Sequence, residues 1–205
     1  MIATCLDLEG VLVPEIWIAF SEKTGIKEFR ITTRDEPDYD KLMKYRIRLL
    51  AEHSLGLREI QEVIADVKPF DGAKEFLEKL REDSQVIILS DTFEEFAKPL
   101  MKQLGMPTIF CNSLVVDENG KIVDYKMRCA NGKLQTVRAL QSIGIETIAA
   151  GDSFNDLGMI KASKAGFLFR STESIIRDNP DVPAFTEYSE LLSAIKKICK
   201  SQRNE

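Results

Sequence analysis

Three short apolar runs, Ile2 to Leu8, Val86 to Leu89 and Thr147 to Ala150, each reach an acid or a hydroxyl and then break. Runs this short, with little alternation, suit strands covered on both faces. Helix-period segments lie between them, Ala73 to Glu82, Phe93 to Leu104 and Leu134 to Ile143, and Ala165 to Phe169 reads as a further strand. Strand and helix therefore alternate as in a parallel α/β sheet.

Val115 to Asp117 and Ile122 to Tyr125 flank Asn119-Gly120, a dipeptide that favours the left-handed backbone of a tight turn, so a small antiparallel flap is expected there. The last helical stretch, Ser189 to Lys200, carries Leu191, Leu192, Ile195 and Ile198 on one stripe, and the tail Ser201 to Glu205 is polar. The segment 14–69 has helical periodicity without a convincing buried strand and reads as an inserted helical cap. Within it, Lys41 to His53 puts Leu42, Met43, Leu49 and Leu50 on one stripe with Arg46 in the middle. A guanidinium cannot shed its charge, so an inward Arg needs an anionic partner or must extend its head to water. His53 reads as a helix-end or packed residue, and Ile16, Trp17 and Phe20 as core or cap-closure contacts. The expected fold class is α/β: a Rossmann-like parallel-sheet core over 1–13 and 70–205, a helical cap over 14–69 and a β-hairpin flap.

A chain of 205 residues suits one α/β domain with a modest insertion. Its net charge of −5 disfavours nucleic acid, so an anionic ligand must be held by a few local cations or a metal. No run of about 18 apolar residues occurs, and the first 13 residues already include Asp7 and Glu9. A cytoplasmic protein without membrane contact is expected. Cys5, Cys111, Cys129 and Cys199 are scattered, and His53 is the single histidine, which argues against zinc and against a disulfide framework.

Asp7 and Glu9 follow the first strand, Ser90 ends the second, and Gly151-Asp152-Ser153-Phe154-Asn155-Asp156 follows the third. If these strands are parallel neighbours, the acids and the hydroxyl converge on the crevice at their carboxyl ends, where ligands bind in open α/β sheets. Two carboxylates about 4 Å apart repel by several kcal/mol at an effective dielectric near 20. A bound cation removes that cost, and hard oxygen ligands without histidine or thiolate point to Mg²⁺.

Asp7-Leu8-Glu9-Gly10-Val11, Ser90, Lys133 and the run Gly151-Asp152 to Asp156 resemble, in order and over essentially the whole chain, the four motifs of the haloacid dehalogenase-like phosphatases. Within that superfamily the chain is similar to the phosphoserine phosphatases, in particular the branch that also transfers phosphate to homoserine. It departs from the usual pattern in having Glu9 where a second aspartate is common and Asp91-Thr92-Phe93 after Ser90 where glycine is common.

The resemblance implies two-step phosphoryl transfer. Asp7 is then the nucleophile, and Asp7, Asp152 and the main-chain carbonyl of Glu9 hold Mg²⁺. Glu9 is the general acid and base, and Ser90 and Lys133 bind the phosphoryl oxygens. Asp91 and Asn155 join the substrate contacts, and Asp156 orients the metal site from outside it. Glu15 and Arg46 are expected to bind the amino and carboxylate groups of phosphoserine, and an Arg–carboxylate fork explains a preference for an amino acid. Two alternatives stand beside this: a phosphatase of another small phosphomonoester, or a phosphate-binding protein without turnover.

Overall fold

A computed structural model describes every residue except Arg34, Pro37, Asn204 and Glu205. The first two belong to the expected cap and the last two to the expected polar tail; all four lie outside the described residues. Seven strands, β1 (Ile2–Leu6), β2 (Gln85–Phe93), β3 (Thr108–Val116), β4 (Ile122–Lys126), β5 (Glu146–Gly151), β6 (Ala165–Phe169) and β7 (Ala184–Phe185), form one sheet among the described residues. Their order is β4-β3-β2-β1-β5-β6-β7. Every pair is parallel except β3 with β4. The central strand β1 pairs Cys5 with Ile87 of β2 on one side and with Ala149 of β5 on the other.

Helices α1 (Ile16–Thr24), α2 (Tyr39–Glu52) and α3 (Leu57–Asp66) fill the segment after β1, and α4 (Ala73–Arg81) leads into β2. Then follow α5 (Glu94–Gln103), α6 (Gly132–Ser142), α7 (Leu157–Ala162), α8 (Glu173–Asp178) and α9 (Tyr188–Arg203). Side chains on a strand alternate between faces, and Cys5 and Leu6 accordingly enter different clusters. Cys5, Leu89 and Ala149 pack with Val137 of α6, Met159 of α7 and Ile175 of α8. Leu6, Ile88 and Ile148 pack on the opposite face, in a cluster that includes Phe76 of α4, Phe96 of α5 and Ile195 of α9. Trp17, Phe20, Met43, Leu50 and Ile60 belong to that same cluster, so the helices of 14–69 share an apolar core with the sheet. Among the described residues no helix is long and apolar enough to cross a membrane.

The sheet differs from the expectation at its β2 side. Ser90 does not end β2, which runs on to Phe93; the pairing with β3 slips between Leu89 and Phe93. The backbone there is held from the side, because the Asp91 carbonyl accepts from Tyr39 Oη at 3.0 Å and from Asn112 Nδ2 at 3.1 Å. The expected flap is the outer half of a longer strand: β3 starts as a parallel neighbour of β2 and continues into the antiparallel pair with β4. The hairpin also touches 14–69, where Leu57 N donates to Gly120 O at 3.0 Å and Tyr125 Oη donates to Asp40 Oδ1 at 2.8 Å.

Candidate active site

Since β1, β2 and β5 are parallel neighbours, the residues after each of them share one edge of the sheet. Asp7 follows β1 directly; its N–H donates to Ala150 O at 3.0 Å, and its Oδ1 accepts from Leu8 N at 2.8 Å. The chain then turns through Gly10 at φ +78°. A Cβ there would lie 2.6 Å from the Asp152 carboxyl carbon, so both the dihedral and the close approach call for glycine. At Gly151 a Cβ would lie 2.3 Å from the carboxyl carbon of Asp156.

Asp156 has no exposed surface. Its Oδ2 accepts from Asp152 N, Ser153 N and Ser153 Oγ, each at 3.0 Å, and its Oδ1 from Lys133 Nζ at 2.7 Å. Lys133 Nζ also lies 2.9 Å from Asp7 Oδ1 and 3.8 Å from Asp91 Oδ2. Burial by itself would lower the Lys133 pKa, but the carboxylates of Asp156, Asp7 and Asp91 outweigh it and push the ammonium well above its usual value. Burial, helped by the charges of Asp156 and Asp152, raises the Asp7 pKa against the pull of Lys133. Asp7, Asp152 and Asp156 can each bring one carboxylate oxygen within 4.8 Å of the others, all buried. Both oxygens of Asp156 are already engaged, which leaves Asp7 and Asp152 as hard oxygen donors with no histidine or thiolate, a set that suits Mg²⁺.

Opposite this floor stands a wall from 14–69. Glu9 Oε2 accepts from Ile16 N at 2.9 Å, at the start of α1. Burial first, then the charge of Glu15, pushes the Glu9 carboxyl up to about 8, against the Ile16 N–H bond and Arg46. Arg46 is 6% exposed; its Nη2 donates to Ile31 O at 2.8 Å, and its head lies over the Trp17 ring, 4.6 Å from the centroid. Its Nε is buried and, among the described residues, has no hydrogen-bond partner.

Between floor and wall is a cavity of about 100 Å³. Asp7, Glu9, Glu15, Arg46, Ser90, Asp91, Lys133, Asp152 and Asn155, all expected from the sequence, line it. Asp156 lies beneath, bonded to Lys133. Asn155 Nδ2 donates to Asp91 Oδ2 at 2.7 Å, which joins two expected substrate contacts to each other. His53 caps the exposed end of α2 and does not line the cavity.

The sequence marks neither Tyr39 nor Ser171 for a role at the site, and marks Trp17 only for core or closure packing. Trp17 and Tyr39 line the cavity, and Ser171 Oγ donates to the Asp152 carbonyl. An aromatic at the first position of an amphipathic helix was the available signal for Tyr39. Nothing local marks Ser171, which follows a different strand from Asp152.

The model of the haloacid dehalogenase-like hydrolases matches residues 5–164. Phosphoserine phosphatase ThrH of Pseudomonas aeruginosa is 56% identical over 91% of this chain and 91% of its own. Phosphoserine phosphatase of Pseudomonas syringae pv. tomato is 55% identical, over 98% of this chain and 84% of its own. Among solved structures, a phospho-aspartyl intermediate analogue of phosphoserine phosphatase superposes with a TM-score of 0.77 at 22% identity, covering 94% of this chain and 97% of that one. A substrate-bound phosphoserine phosphatase complex gives 0.76, also at 22% identity, with the same coverage of 94% and 97%. At such identity the superpositions speak for the fold.

Proposed function

The chain belongs to the haloacid dehalogenase-like hydrolases, and we propose that it is a Mg²⁺-dependent phosphoserine phosphatase that works through an aspartyl phosphate on Asp7 and also passes the phosphoryl group to homoserine. The observation that carries this reading is the meeting in one small cavity of a buried acid–lysine floor, Asp7, Asp152 and Lys133, with a buried arginine, Arg46, on the facing wall. Floor and wall match the two ends of a phosphorylated amino acid. The two Pseudomonas relatives support the substrate class by their names.

The carboxylates of Asp7 and Asp152, with the main-chain carbonyl of Glu9, would hold Mg²⁺. When bound, the ion offsets the repulsion between the Asp7 carboxylate and the substrate phosphate. Ser90 and Lys133 hold the phosphoryl oxygens, where charge gathers in a loose transition state. Arg46 takes the substrate carboxylate and Glu15 the ammonium, while Asp91 and Asn155 close the side of the site. Asp7 attacks phosphorus, the bond from phosphorus to the serine oxygen breaks, and Glu9 gives its proton to that oxygen. A carboxyl raised to about 8 holds this proton at neutral pH.

Glu9, now a carboxylate, takes a proton from water or from the homoserine hydroxyl as it attacks the aspartyl phosphate and frees Asp7. The acceptor must approach from the side opposite Asp7, the place the serine has left. Homoserine is one methylene longer than serine and offers the same two charged ends to Glu15 and Arg46. Residues 14–69 act as a cap that keeps bulk water out during this exchange.

The test is incubation of the purified protein with phosphoserine and Mg²⁺, with and without homoserine, measuring phosphate and phosphohomoserine. Phosphate release that depends on Mg²⁺ is expected, with phosphohomoserine appearing only when homoserine is present. No release from phosphoserine ends the phosphatase reading, and release without phosphohomoserine ends the transfer.

A further inference from the structure

Arg46 is a buried cation on which the carboxylates of Glu9 and Glu15 act only from beyond ion-pair distance. The described residues place no carboxylate within salt-bridge distance of it; its hydrogen-bond partners are the Ile31 carbonyl and, at 3.8 Å, the Met43 sulfur, and its Nε has none. What covers the head is the face of Trp17. The indole is itself clamped: Phe29 stacks with it at 5.7 Å, and Phe20 and Phe96 meet it edge-on at 6.1 and 5.9 Å. Trp17 and Arg46 both line the cavity.

A guanidinium is planar and weakly hydrated, and it settles on an aromatic face at the cost of little hydrogen-bonding capacity, since its donors lie in its own plane. A carboxylate partner from the protein would hold Arg46 equally well but would also neutralise it. The aromatic face fixes the head without an ion-pair partner in contact and leaves a buried donor, Nε, unpaired.

We infer that Trp17 is a positioning residue for substrate selection: its ring holds the Arg46 head so that the site requires a carboxylate on the phosphorylated alcohol. This rests on the reading of Arg46 as the carboxylate contact. Trp17 is also the chain's single tryptophan, so its emission reports on a charged group docked against the cation it carries.

Four proteins, wild type, Trp17→Leu, Trp17→Phe and Arg46→Met, are assayed with phosphoserine and with phosphoethanolamine, which lacks only the carboxylate. In the wild type phosphoserine is expected to be preferred, and no preference would overturn the inference. Trp17→Leu is expected to raise KM for phosphoserine on the order of tenfold, the scale of a desolvated cation–aromatic contact, and to leave phosphoethanolamine within about twofold. Trp17→Phe restores a ring and most of the preference. Equal losses on the two substrates would mean a packing defect and overturn the inference.

If Arg46→Met loses the preference and Trp17→Leu keeps it, Trp17 is wrong and the reading of Arg46 stands. If Arg46→Met keeps it, the reading of Arg46 fails and takes the inference with it. Independently, in the turnover-deficient Asp7→Asn protein, phosphoserine should shift the emission and phosphoethanolamine should not. An equal shift from both, or none from either, overturns the inference.

Discussion

Lys133 donates from Nζ to Oδ1 of Asp156 at 2.7 Å, and neither side chain has more than 5% of its surface exposed. The pair holds a cation in place directly beside Asp7. Removing Lys133 strands the charges of Asp156 and Asp7 in the interior, which costs about 3–5 kcal/mol in comparable buried pairs, while neutralising Asp156 takes from Lys133 the nearer of its two buried carboxylates and leaves it Asp7. Asp156→Asn should therefore lower the denaturation midpoint markedly and reduce turnover. Lys133→Met should abolish measurable turnover, because the same ammonium is proposed to hold the phosphoryl group. Thermal melts and steady-state rates check both; an Asp156→Asn protein with wild-type stability would refute the electrostatic role given to the pair.

Gly10 sits at φ +78° with the Asp152 carboxylate where its Cβ would be. Gly10→Ala adds about 1–2 kcal/mol of left-handed backbone strain and displaces that carboxylate. The Mg²⁺ concentration for half-maximal rate should rise by about tenfold or more, the usual scale for disturbing the support of a ligand. Metal titration of the rate is the measurement, and an unchanged midpoint would remove Asp152 from the proposed ion site.

The Glu9 carboxyl is raised from 4.5 to about 8. Its acid form supplies the proton for the leaving oxygen, so kcat/KM should fall above about pH 8, and Glu9→Gln should lose both that limb and most of the rate. The same shift has a stability consequence. From pH 4.5 to 8 the unfolded chain releases this proton while the folded chain keeps it, so the stabilising contribution, whole below 4.5, declines with rising pH and is gone above 8. In metal-free buffer Glu9→Gln should therefore gain stability relative to wild type at pH 9 and gain little at pH 4.5. Urea midpoints at the two pH values decide it.

Tyr39 Oη donates to the Asp91 carbonyl, directly after Ser90, and so ties the first turn of α2 to the proposed phosphate loop. Tyr39→Phe removes one hydrogen bond, of about 1 kcal/mol, without opening a cavity. KM for phosphoserine should rise by several-fold and amide exchange in α2 should quicken. Unchanged exchange would count against a closure role for 14–69.

Chelation with EDTA should abolish turnover and added Mg²⁺ should restore it. Stopping the wild-type reaction with acid should trap phosphate on the protein, and Asp7→Asn should trap none. Label retained by Asp7→Asn would place the nucleophile elsewhere.

Asp7, Glu9 and Asp152 could be found in the sequence because a buried strand that stops at a polar residue announces both its end and its chemistry, and Ser90 because its hydroxyl breaks an apolar run, although the strand that carries it continues to Phe93. The strand order then brings those ends to one edge. The course of β2 past Ser90 and the inner half of β3 could not be found in this way. Strand pairing is a contract between distant segments, and the slip near Asp91 depends on Asn112 and Tyr39, which belong to other elements. Lys133 had a matching motif, yet its three acidic neighbours come from three distant segments: Asp7 just after β1, Asp91 within β2 and Asp156 in the turn between β5 and α7.

Arg46 shows the division most clearly. Its place in an apolar stripe already required a special environment, because a guanidinium keeps its charge. Which environment, an aromatic face and a carbonyl with Glu9 and Glu15 held beyond ion-pair distance, was decided by how α1 and α2 pack together over the sheet. The chain order of residues determined the kinds of groups available and the elements that carry them; long-range packing decided which of those groups face one another, because pair contacts between distant elements leave no periodic trace in a linear string.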